Sequence, residues 1–284
     1  MRKEWIRSEE ECSFKRIKRL QKRKNLPSSS CYLDFSQSNF SIENMNEKSS
    51  SSNLTTHDWS LINSLSHLYD TRAFIDERKS LENYSIETST LIDFFHDEQI
   101  VYRNLIEFYK QIPLFEKLHV DDQMLLIKSN LTHLVHLHHV LRDHFEENPR
   151  IGFLMSKWIS RDFHQQMSKT RHSLDYFIQH PMVLKISLLV FIFLTNLSRI
   201  PRKEFSIDFL DRYSIVHNQN IFITLLWKYL HVIYDEQDAR KAVQLIIFQY
   251  LRYQLLISDM EMVISNRFHP NQFPPLTQSL LHLT

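Results

Sequence analysis

The chain has 284 residues, 43% hydrophobic and 24% charged, with Lys+Arg 34 against Asp+Glu 33 and a formal net charge of +1. That is enough apolar material for a sizeable core, and it leaves no overall field to draw the chain to nucleic acid or an anionic membrane. There is one glycine, Gly152, where average usage is about 7%. Phosphate-cradling loops, dinucleotide fingerprints and G-x-S-x-G elbows need several glycines, so most nucleotide-driven chemistry is excluded and primed hairpin turns are disfavoured.

Residues 1–25 place Glu9, Glu10 and Glu11 ahead of Lys15, Arg16, Lys18, Arg19, Lys22, Arg23 and Lys24. Acids early and bases late suit a helix macrodipole, which predicts a helix over about 3–24. The basic run reads equally as a nuclear-localisation or DNA-phosphate patch and as a solvated helix face. Cys12 and Cys31 are too few for a disulfide framework or a zinc ribbon and read as free thiols in a reducing compartment. The N-terminus is too charged for a signal peptide. Residues 26–54, bracketed by Ser28, Ser29, Ser30 and the run 49–52, carry too little apolar surface to offset ordering entropy and read as a disordered linker.

From Thr55 the pattern is helical. Trp59, Ile62, Leu65 and Leu68 follow a Thr-Thr-His-Asp start that can cap a helix. Leu91, Phe94, Phe95, Val101, Leu105, Phe108 and Tyr109 mark a longer helix ending near Pro113. Another opens at Asp121-Asp122-Gln123 and is apolar over much of its circumference through Leu141, which means burial on several sides. Residues 148–153, with the one glycine, suggest a small hairpin or irregular turn. Further helices are expected over 171–180, 182–197, 218–234 and 237–267, with a short amphipathic end from Leu276 to Leu283. The uncharged stretch 186–198 is well short of the roughly 18–20 residues that span a bilayer. The expectation is a soluble intracellular all-α domain over 55–284, a three-layer helical stack with at most one small β-hairpin.

Phe108, Lys110, Pro113, Phe115, Leu118, the pair Asp122-Gln123 and Lys128 resemble, in type and spacing, the signature of nuclear receptor ligand-binding domains. That signature reads approximately F-x-K-x-x-P-G-F-x-x-L-x-x-x-D-Q-x-x-L-L-K. The first eleven residues look like the extension that follows the zinc modules in the vitamin D receptor branch. Residues 188–202 look like the family's central helix and its exit, and Leu251-Arg252 sits where its dimerisation helix carries a Leu-Arg pair. The resemblance covers the whole chain, with the linker in the place of a hinge.

The resemblance implies the family's antiparallel three-layer helical sandwich and a nuclear transcription regulator rather than an enzyme. It implies a lipophilic ligand, sterol-like or xenobiotic, held by Leu91, Phe94, Val101, Leu105, Val135, His136, His138 and His139. His138 falls where the branch has a hydroxyl-binding arginine, and a neutral imidazole can donate or accept there. A groove for LxxLL coactivator or corepressor helices would use Lys110, Gln123, Lys128, Leu276, Ser279, Leu280 and Leu281. Leu251 and Arg252 would meet a retinoid X receptor-like heterodimer partner, and the basic run 15–24 would touch DNA phosphates weakly. No metal or cofactor is expected within the chain, zinc belonging only to modules upstream.

Three departures stand out. The sequence opens where two zinc modules would end, which makes a DNA-binding-deficient receptor that sequesters partners the alternative reading. Leu114 replaces the glycine of P-G-F and must make its turn with φ < 0 or with strain. Ser279 stands where the family has a glutamate, removing the charged cap for a partner helix N-terminus, a loss of about 1–2 kcal/mol. The segment 276–283 is read as the family's last helix, with a tail packed on the core as the alternative.

Overall fold

The structure is a computed structural model, which describes residues 54–71, 84–195 and 209–283. The basic run 15–24 and almost all of the expected linker lie outside the described residues. The described chain is all-α, ten α-helices and two 3-10 turns, with no strand among the described residues.

α1 (Thr56–Thr71) opens with a reciprocal cap, Thr55 N donating to Asp58 Oδ2 at 2.8 Å and Asp58 N to Thr55 Oγ1 at 3.1 Å. It buries Ile62, Leu65 and Tyr69, but Trp59 turns outward. α2 (Leu91–Lys110) has the same box from Thr90 and Asp93 and stops before Pro113, which opens the one-turn α3 (Pro113–Glu116). Leu114 lies inside that turn and outside the left-handed region, so the lost glycine leaves no backbone strain here.

α4 (Val120–Arg142) is buried on several sides, as its pattern implies. Its Asp122 and Gln123 act structurally. Buried Asp122 accepts from Leu210 N at 2.8 Å and Asp211 N at 3.0 Å, while Gln123 Nε2 donates to Glu116 O and Leu118 O at 3.0 and 2.9 Å.

The hairpin expected at 148–153 is instead the start of α5 (Pro149–Trp158), with Pro149 in the first turn and Asn148 Oδ1 accepting from Arg150 N and Ile151 N. α6 (Arg161–Ser173), capped by Ser160, and a 3-10 turn Leu174–Phe177 replace the helix expected over 171–180. Apart from Phe163 and Met167, α6 is mostly polar, so its period was hidden. α7 (Met182–Ile192) is buried at every position from Val183 to Ile192 and packs on α4, α1 and α8 (Arg212–Ile233). It ends at 192 rather than 197 because Asn130 Nδ2 donates to Ile192 O (3.0 Å) and Leu194 O (2.9 Å), a cap from another helix. α8 begins at 212, capped by Asp211, earlier than expected. α9 (Glu236–Arg267), capped by Asp235, matches its expected span closely, and α10 (Pro275–Leu280) ends the chain against α4 and α2.

Burial separates into two apolar clusters. The larger surrounds α7; the smaller joins the start of α2, α5, the start of α6, the second half of α9 and Phe273, Leu281 and Leu283.

Candidate functional site

Between these clusters α2, α4, α5, α6 and α9 line a cavity of about 90 Å³, partly open to solvent. Its lining combines apolar Phe94, Phe95, Val135, Met155, Ile257 and Met260 with polar Glu98, His136, His139, Arg142, Asp143 and Arg171. On α4 the contributing positions are 132, 135, 136, 139, 142 and 143, an i, i+3/i+4 series that puts them on one helix face.

The polar residues are knit together by ion pairs. Arg142 Nε donates to Asp143 Oδ1 at 2.7 Å, and Arg171 donates to Asp143 Oδ2 at 3.1 Å and to the carbonyl of Glu146. Burial alone would raise the Asp143 carboxyl, but the Arg142 hydrogen bond and charge, with His139 and Arg171, hold it below its ordinary value. His139 Nε2 sits 3.0 Å from Glu98 Oε1, close enough for an ion pair but out of line for a hydrogen bond. The His136 ring stacks on Tyr253, centroids 4.4 Å apart and planes at 16°. Burial pushes His136 down to about 3, with Arg171 and His139 adding to the shift, so its imidazole is neutral.

Glu147, which also lines the cavity, ties α6 to the segment that follows α4. Its carboxylate lies 3.3 Å from both His172 Nε2 and His164 Nε2 and accepts from Ser168 Oγ at 3.0 Å. The His172 hydrogen bond, outweighing burial, pulls Glu147 down to about 2, and the bonds to Asp175 and Glu147 raise His172 to about 9. Gly152 faces this cluster. A Cβ there would fall 2.3 Å from His164 Nε2, so the chain's one glycine leaves room for the His164 ring rather than making a turn. The turn beside the cavity is made instead by His144 and Phe145 at φ 50° and 64°, left-handed conformations that cost about 1–2 kcal/mol per non-glycine residue.

Of the ligand residues expected from sequence, Phe94, Val135, His136 and His139 line the cavity. Leu91 packs in the smaller cluster, and Val101 and Leu105 in the larger. His138 lies off the cavity series and faces α1, its Nδ1 2.8 Å from Tyr69 Oη. Glu98, Arg142, Asp143 and Arg171 were missed. The first three were within reach of the sequence, since 142 and 143 continue the spacing of 135 and 139, and 98 follows 94 by one turn. Arg171 carried no such signal.

Lys110 and Lys128 are exposed, Lys110 in an i, i+3 pair with Glu107 at 2.9 Å. On α10 and just beyond it Leu280 and Leu281 are buried and Leu276 and Ser279 half-buried, so this segment is packed on the body. Val120 and Met124 stand exposed on the first turns of α4. Phe95, in the cavity wall, meets Phe273 edge-on at 5.7 Å, and Phe273 O accepts from Gln278 Nε2 on α10 at 2.7 Å. The cavity and the last helix are therefore joined through two aromatic rings. On α9, Leu251 is half-buried and Arg252 bonds Gln166 Oε1, beside an exposed stripe of Phe248, Leu255 and Met262.

Among the described residues no group of three or more His, Cys, Asp or Glu is placed to hold a metal ion, and no single helix is long and apolar enough to cross a membrane. No protein-family model matches the chain, and no curated protein matches it.

Proposed function

We propose that the chain is a nuclear receptor-type transcription regulator, its described part a ligand-binding domain with that family's three-layer arrangement. The observation that carries this reading is the cavity itself, amphipathic and joined through Phe95 and Phe273 to a packed C-terminal helix. A small lipophilic molecule filling the cavity would press on Phe95 and bias α10 between docked and open states, which changes the surface offered to a partner helix. That surface would be the exposed face of α4 with Lys110 and Lys128 as caps for the partner's C-terminal carbonyls.

Ser279 brings no charge to the other end, which favours weak coactivator binding or a corepressor helix. The exposed stripe of α9 suits a heterodimer partner of the retinoid X receptor type, and the basic run suits nuclear residence with weak DNA-phosphate contact. Catalysis has little support, since Ser168 is bonded to a carboxylate rather than to a histidine base.

The test is fluorescence anisotropy of a labelled LxxLL peptide and a corepressor-type helix against wild type and Lys110→Ala/Lys128→Ala. Binding of at least one peptide, weakened about tenfold by the double substitution, is expected. Binding of neither, or no change on substitution, contradicts the reading.

A further inference from the structure

α8 keeps an outer face that no described element covers. Its inner positions Ile215, Phe222, Leu225 and Leu230 are buried, and Asn218 and Gln219 bond inward to Leu114 O at 2.8 Å and Val190 O at 3.1 Å. Outward stand Tyr213, Val216, Asn220, Ile223 and Trp227, all exposed, Tyr213 to 82%. Successive members are 3, 4, 3 and 4 residues apart, the repeat that keeps one seam of a helix facing a partner helix. A histidine one turn on braces each aromatic end. His217 stacks on Tyr213 with planes at 7°, and His231 meets Trp227 edge-on with centroids 4.5 Å apart.

The seam reads alike from either end. Tyr213 and Trp227 lie equally far in sequence from Asn220, and so do the β-branched pair Val216 and Thr224. Antiparallel packing on a second α8, about a two-fold axis at Asn220, sets Tyr213 against the partner's Trp227 at both ends. It also sets Asn220 against its own mate, and two primary amides satisfy each other because each both donates and accepts. Asn220 makes no hydrogen bond with any described residue, so its amide is open for this.

Charge decides the occupant. On a two-fold interface a charge near the axis meets its own sign. Between Arg212 and Lys228 the helix carries no Asp, Glu, Lys or Arg, so two copies meet along 213–227 without opposing charges. Lys228, which faces Arg212 in that arrangement, is already paired with Asp58 at 3.0 Å. Parallel packing would instead bring two Arg212 side chains and two helix N-termini together. Two aromatic and two aliphatic side chains make a small interface beside the about 800 Å² that each partner gives a standard one, so the association is micromolar.

We propose that α8 is a self-association surface on which two copies of the chain pack antiparallel about Asn220. This surface is on a different helix from the α9 stripe and does not rest on how the cavity is read.

The experiment is sedimentation equilibrium of the full chain from about 1 to about 100 µM. A monomer–dimer equilibrium is expected. Ile223→Glu, at an exposed position, should weaken it at least about tenfold with thermal unfolding unchanged, and Leu255→Glu on α9 should leave it as it is. Cross-linking with bismaleimidoethane in a Cys12→Ser/Cys31→Ser background then reads the orientation. Asn220→Cys should cross-link, whereas Tyr213→Cys should not, since antiparallel packing sets its two copies about 21 Å apart along the helix. A monomer throughout the range, or a dimer broken by Leu255→Glu and not by Ile223→Glu, overturns the proposal. Tyr213→Cys cross-linking as readily as Asn220→Cys overturns it as well.

Discussion

The two apolar clusters of this domain solve different problems. Around α7 every position from Val183 to Ile192 is buried, and Phe115, Phe193 and Phe222 stack into the same core. Around the cavity the apolar side chains also touch, Phe94 against Phe95 at 5.5 Å, but they leave a space whose lining carries paired charges and three unpartnered nitrogens, on His136, His139 and Arg171. Close packing stabilises the first region, whereas the second gives up contact for space, with a strained turn at His144 and Phe145 beside it. That contrast separates scaffold from site.

Truncation tests it most strongly. Leu188→Ala, fully buried beside α4 and α8, should cost about 2–5 kcal/mol in urea unfolding. Ile257→Ala, on the cavity wall, should cost about 1–2 kcal/mol because part of its surroundings is already empty. Equal losses would mean the cavity is closed in solution.

Next comes pH. His133 and His136 have values lowered to about 4 and about 3, mainly by burial, so the unfolded chain binds more protons than the folded one below the ordinary 6.5. Stability therefore falls as pH drops from 6.5 towards about 4. His172, raised to about 9, acts the other way: its contribution is full below 6.5 and is lost as pH climbs through about 9. Thermal unfolding should peak near pH 6.5, His136→Phe should flatten the acid limb, and His172→Gln the alkaline limb. A profile unchanged by His136→Phe would place that ring in water rather than in the wall.

The smallest effect concerns Gly152. Alanine gains about 1 kcal/mol of helix propensity there but drives its Cβ into His164. Gly152→Ala should therefore be near neutral alone and stabilising by about 1 kcal/mol in a His164→Ala background, read as a double-mutant cycle. Additivity would show that the two residues do not touch.

Much of the scaffold was legible in the chain because local rules agree there. The apolar spacing from Leu91 to Tyr109 and over 237–267 marks α2 and α9 closely. The errors came where distant residues decide. Asn130 ends α7 from another helix, Asn148 and Pro149 start a helix where a small hairpin or irregular turn was expected, and α6 shows almost no apolar period. The site was half visible. His136, His138 and His139 were all placed by likeness to a family motif; His136 and His139 do line the cavity, whereas His138 turns to Tyr69. Arg171 reaches the cavity only through the packing of α6, which no local pattern encodes.

The central claim is that occupancy of the cavity is felt by the last helix through Phe95 and Phe273. Hydrogen exchange over residues 273–283, with and without saturating 1-decanol, tests it directly. The account predicts slower exchange in that segment on binding, lost in Phe273→Ala while binding persists. Saturation of the cavity with no change at 273–283 would contradict it.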